Sequence, residues 1–209
     1  MNNYYLPQNY IINNNPSHDV IYSSRAQVEV YEYAQKIMER NNLKKIIEIG
    51  CGNGAKLMKY LSKYDTIGYE TEPCYSSLKK KYPNRKWLES GEKERSFNNK
   101  EISECDLIIC IDVVEHIIDP NILLDYIKKF NSKYIIISTP CREILKTHKK
   151  FVGSTYKRND IGPPPNDCHV REWTCSEFKD YLSDHFTIIE SFLGKIQVEC
   201  QWHLCSIKK

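Results

Sequence analysis

Between residues 24 and 42 the apolar positions Ala26, Val30, Tyr33, Ala34, Ile37 and Met38 return at helical spacing, and Asn41-Asn42 supplies a stop. The pattern then alternates. A buried strand is predicted over 45–49, a helix over 55–63, a strand over 66–70 and a helix over 73–82. A short strand at 85–89 precedes a charged loop, and 106–111 is strongly apolar. Pro120 fits the first turn of a helix over 120–130 with Asp119 as its N-cap, and 134–138 is a β-branched strand. Strands alternating with helices predict a mostly parallel sheet covered on both faces.

The last third departs from this rhythm. Residues 141–172 form one long segment containing Gly162-Pro163-Pro164-Pro165, too long for an ordinary connector and therefore a candidate lid or substrate loop. Thr174 and Glu177 have capping-box spacing, so a helix starts there and runs to about residue 183. Stretches 186–193 and 198–207 read as strands with no room for a crossover helix, hence an antiparallel pair at the sheet edge. Residues 1–22, rich in Asn and Tyr with Pro7 and Pro16, show neither periodicity. They are read as an arm, loose or laid over the domain that occupies 23–209.

Length and composition narrow the setting. A chain of 209 residues supports one domain with a sizeable core. With 41% hydrophobic and 27% charged residues it has the balance of a soluble globular protein. The formal charge of +3 is mild, and Lys79–Lys81 and Lys149–Lys150 are too short for the clustered stripe of a nucleic-acid binder, so no nucleic-acid partner is expected. The N-terminus lacks a signal-like apolar run and no stretch reaches the roughly 18 apolar residues of a membrane span, so no membrane partner is expected. Nine cysteines without a CxxC pair read as reduced thiols of a cytoplasmic protein.

Chemistry first shows in Glu48-Ile-Gly50-Cys51-Gly52-Asn-Gly54, three glycines between a strand and a helix. Such a turn brings backbone close to a ligand without a Cβ in the way. Glu70 closes the second strand twenty residues beyond Gly50, where an acid can accept both ribose hydroxyls. Together they indicate an adenosine cofactor. NAD(P) and an oxidoreductase activity are the first rival, since Ala55 can stand for the third glycine of the dinucleotide pattern. Against it, Glu48 would disfavour a pyrophosphate but suit a cationic amino-acid moiety, Gly54 falls one residue early, and a closing antiparallel pair is foreign to the plain parallel fold. A non-catalytic cofactor-fold binding subunit is the other rival, opposed by the intact glycines and Glu70.

The chain resembles class I S-adenosylmethionine-dependent methyltransferases of the small-molecule branch, type 11/23-like. The resemblance rests on the glycine motif, on the run from Asp106 to Pro120 with Asp112-Val113-Val-Glu115-His116 at its centre, on Ile137-Ser-Thr-Pro140 and on Cys168-His169-Val-Arg171-Glu172-Trp173. It implies a Rossmann-like three-layer sandwich with a seven-stranded sheet, mostly parallel with the last strand antiparallel. It also implies S-adenosylmethionine as cofactor and S-adenosylhomocysteine as product, with methionine near Glu48, Gly50, Cys51, Gly52 and Gly54. Ribose falls at Glu70 and adenine near Glu89–Gly91, with Ser90 at its centre, and near Asp112 and Val113, while Thr71 and His116 are further candidate cofactor contacts.

Methyl transfer from a sulfonium needs alignment and, for a hydroxyl or ammonium acceptor, removal of a proton. His169 is ranked first as base or substrate contact and His116 second; Arg171, Glu172, His148 and Arg142 are the candidate substrate contacts. One Glu115-His116 pair without further ligands does not make a metal site, and none is expected. The acceptor is expected to be a small molecule. The Ser-Thr-Pro and His-x-Arg-Glu-Trp patterns resemble members acting on sugars and cell-surface glycans, so a sugar, sugar nucleotide or phosphorylated glycan precursor comes first.

Overall fold

The computed structural model describes residues 4–16, 27–91, 97–102, 104–147, 161–195 and 200–208. The elements run α1 (Val28–Arg40), β1 (Lys45–Ile49), α2 (Ala55–Leu61), β2 (Asp65–Glu70), α3 (Cys74–Lys81), β3 (Lys86–Glu89), β4 (Cys105–Ile111), a 3-10 turn (Val114–His116), α4 (Pro120–Lys128), β5 (Ser132–Pro140), α5 (Arg142–Thr147), α6 (Cys175–His185), β6 (Phe186–Leu193) and β7 (Cys200–Ile207). They form one sheet in the order β3-β2-β1-β4-β5-β7-β6. β1 to β5 run parallel to one another, and β7 runs antiparallel between β5 and β6. This is the expected Rossmann-like sheet.

Side-chain alternation along the central strands builds two cores. Ile46, Leu107, Ile109 and Ile136 face α1 and α2 through Val30, Ala34, Leu57 and Leu61. Ile47, Ile49, Ile108, Ile135 and Ile137 face α4 and α6 through Leu123, Ile127, Phe178 and Leu182. The central strands are buried on both faces, which explains the apolar runs Ile46-Ile47 in β1 and Leu107–Ile111 in β4. No helix among the described residues is long and apolar enough to cross a membrane.

The caps explain the helix starts. Asp119 accepts the Asn121 N–H with Pro120 in the first turn, and Thr174 and Glu177 form the reciprocal capping box. Replacing Thr174 by Ala is expected to lower stability by about 1 kcal/mol, read as a shifted denaturation midpoint at unchanged slope; an unaltered midpoint would show the cap to be redundant.

Two segments without regular periodicity take definite positions. The long segment begins as a helix, α5, whereas 148–160 lie outside the described residues. The arm is laid over the domain through residues 4–16: the Trp173 indole N–H donates to the Tyr4 carbonyl at 2.9 Å, Glu172 N–H to Tyr10 Oη at 3.0 Å and Asn13 N–H to the Val170 carbonyl at 2.9 Å. These bonds join the two segments that lacked periodicity of their own.

Candidate functional site

The site lies at the carboxyl ends of β1, β2, β4 and β5, where open α/β sheets bind ligands. After β1 the chain turns through Gly50 and Gly54 at φ +76 and +68. A Cβ on Gly50 would stand 2.4 Å from Val113 Cγ2, so the loops after β1 and β4 can close together only over glycine. The Glu70 carboxylate receives Gly52 N–H at 2.5 Å and Thr71 N–H at 2.8 Å, which brings the end of β2 against the glycine turn. Burial raises the Glu70 carboxyl above its ordinary range against the pull of those N–H groups. Ser90 is buried beside them and donates its N–H to the Glu70 carbonyl at 2.9 Å.

Glu48 is fully buried on the α1 side. It accepts a hydrogen bond from Tyr31, while its second oxygen has no partner. Burial pushes its carboxyl up to about 8, with the Tyr31 hydroxyl and the Lys56 charge pulling the other way. Asp112 takes a left-handed backbone at φ +52, held by Ser138 Oγ donating to Oδ1 at 2.7 Å, and Gln27 bonds its other oxygen. Lys56 in turn bonds Gln27. Tyr31, Gln27 and Lys56 carry no sequence signal as site residues. Tyr31 does share a helical face with Ala34 and Met38, at i+3 and i+7.

Ser138 and Thr139 are successive residues of β5, and Thr139 Oγ1 donates to Glu115 Oε2 at 3.2 Å. One strand end thereby orients both acids. Burial and the nearby Asp112 charge hold the Glu115 carboxyl well above its usual range. The His116 and His169 rings meet edge to face at 4.9 Å, although 53 residues separate them in the chain. His116 Nδ1 donates to the Cys168 carbonyl at 2.9 Å, and His169 Nδ1 to Glu172 Oε1 at 2.9 Å. His169 Nε2 lies 2.9 Å from Asn166 Nδ2. The His169 ring is nearly buried, while His116 keeps 28% of its side chain exposed.

Two substrate candidates have other partners. Arg171 is fully buried, donates to the carbonyls of Ile117 and Ile118 at 2.9 and 2.6 Å, and lies between the Tyr4 and Trp173 rings. Arg142 is 4% exposed, donates to the Glu172 carbonyl at 2.7 Å and pairs with Glu177 at 2.6 Å. Both arginines therefore tie the long segment to the rest of the fold through their terminal nitrogens, on the carbonyls of Ile117, Ile118 and Glu172 and the Glu177 carboxylate. Glu172, 1% exposed, orients His169. His148 lies outside the described residues.

A family model described as methyltransferase domain matches residues 22–192. The chain belongs to this family. It is a class I methyltransferase whose methyl donor is S-adenosylmethionine, and an oxidoreductase reading has no support. Among solved structures, magnesium protoporphyrin IX methyltransferase from Synechocystis is 12% identical at a TM-score of 0.62, over 87% of this chain and 83% of that one. Small RNA methyltransferase HEN1 is 16% identical at 0.64, over 92% and 26%. N-methyltransferase NodS from Bradyrhizobium japonicum is 13% identical at 0.57, over 89% and 90%. At these identities the likeness shows the fold. Curated proteins yield no sequence match.

Proposed function

We propose that this methyltransferase methylates a hydroxyl or amine of a small molecule, with a sugar, sugar nucleotide or phosphorylated glycan precursor as the preferred acceptor class. The observation that carries the reading is the pair of oriented imidazoles, His116 and His169, on the same strand edge as the glycine turn. An acceptor that keeps its proton cannot use the sulfonium efficiently, and an imidazole held by a carbonyl or carboxylate at Nδ1 presents Nε2 for that proton. Glu48 and Gly50 to Gly54 would hold the methionine part of the donor, Glu70 and Thr71 its ribose, and Ser90, Asp112 and Val113 its adenine. In the reaction the acceptor heteroatom forms a bond to the methyl carbon as the carbon–sulfur bond breaks. S-adenosylhomocysteine leaves, and the acceptor proton passes to the imidazole side of the site.

His116, the more exposed ring, meets the acceptor, and His169 is the positioning residue beneath it. His116→Ala and His169→Ala should each lower kcat by about 10²–10⁴-fold while S-adenosylmethionine binds as before by calorimetry; full turnover in both would remove the imidazoles from proton transfer. The acceptor class is tested by release of S-adenosylhomocysteine with phosphorylated sugars, nucleotide-linked sugars and short RNA as separate arms. Turnover with a sugar arm and not with RNA is expected. Turnover confined to RNA would overturn the reading.

A further inference from the structure

We propose that Glu115, His116 and His169 form a binding site for a divalent first-row transition-metal ion at the acceptor end of the methyltransferase site. One carboxylate oxygen and two imidazole nitrogens from these residues lie within 4.8 Å of one another. Two ligand atoms each about 2.1 Å from a tetrahedral ion stand about 3.4 Å apart, so an ion would draw the most widely spaced pair together by up to about 1.4 Å. The site rests on the heteroatom-acceptor reading above and deepens it.

Three further features point to an ion. Glu115 is fully buried, and its Oε1 has no hydrogen-bond partner among the described residues although Oε2 is held by Thr139. That oxygen lies 3.8 Å from His116 Nε2, beyond hydrogen-bond reach and within the span of two ligands on one ion. Each imidazole is also oriented as a ligand: Nδ1 donates to the Cys168 carbonyl in one and to Glu172 in the other, which puts the lone pair of each ring on Nε2. Asn166 Nδ2, against His169 Nε2, is the group an ion would displace.

Two imidazoles and a carboxylate favour manganese, iron, cobalt or zinc over the oxygen-seeking magnesium and calcium. Three protein ligands leave positions open for the acceptor. A hydroxyl bound there loses its proton readily because the dication stabilises the alkoxide. With the ion bound, the imidazoles serve as ligands and no longer as the proton acceptors described above for the metal-free site, and the proton leaves to solvent.

Mn2+ is the probe, since its preference for oxygen and nitrogen donors avoids the nine thiols. Titration of the apoprotein followed by electron paramagnetic resonance should show one Mn2+ bound per chain. His169→Ala and Glu115→Gln should each weaken binding at least about tenfold, and Glu172→Gln by about 10–100-fold through the orientation of His169. Calorimetry with S-adenosylmethionine on the same variants confirms that they are folded. Absence of Mn2+ binding to the wild type, or equal binding in folded His169→Ala, would overturn the metal site. Metal-independent methylation of a sugar hydroxyl would do so too while leaving the heteroatom reading intact. Conversely, failure of every sugar acceptor would not disturb a positive Mn2+ titration.

Discussion

Replacing Glu70 by Ala should weaken S-adenosylmethionine binding at least about a hundredfold in a calorimetric titration, because two charge-assisted hydrogen bonds to ribose are worth about 1.5–3 kcal/mol each and tenfold in affinity is about 1.4 kcal/mol. The geometry assigns a second effect to the same carboxylate. Glu70 also receives the N–H groups of Gly52 and Thr71, so its loss frees the turn that the methionine part would lie against. Glu70→Gln separates the two contributions. Its amide oxygen can still accept an N–H while the negative charge is gone, and its affinity should fall between wild type and Glu70→Ala. Unchanged affinity in Glu70→Ala would move the ribose elsewhere, and NAD should show no binding to any of the three proteins.

The glycine turn and the acid that meets it were legible because each leaves a local mark. A backbone that must turn at positive φ under Val113 leaves glycine at 50, and a strand end that meets the turn leaves an acid at 70. The sheet was legible for the same reason, since burial on both faces writes apolar runs at Ile46-Ile47, Leu107–Ile111 and Ile135–Ile137. The acceptor half depends on distance in space. Nothing near His116 announces that His169 will pack against its ring, and nothing near Arg142 announces Glu177. Helix α5 was hidden in the long segment, where Arg142–Thr147 is too short to establish a period. The arm escaped because its order comes from hydrogen bonds to residues 161–173 and not from a pattern of its own.

The charge on the arginines has a packing role in the fold. A basic residue beside a histidine and a glutamate in a long loop has the composition of an anion site, and Arg171 was ranked with the substrate contacts on that ground. Its guanidinium is instead enclosed by Tyr4 and Trp173 with two carbonyls as acceptors. A buried cation is tolerable only with such partners, and each carbonyl left unpaired by its removal costs about 1–3 kcal/mol. Arg171→Met, which keeps much of the side-chain volume, should therefore destabilise the protein by about 3 kcal/mol. At roughly 2–4 °C per kcal/mol for a chain of this size, thermal denaturation should show a midpoint lower by about 6–12 °C. Below that midpoint S-adenosylmethionine affinity should stay at the wild-type value, because no cofactor candidate touches the guanidinium. A variant with unaltered melting and a raised KM for acceptor would return Arg171 to the substrate.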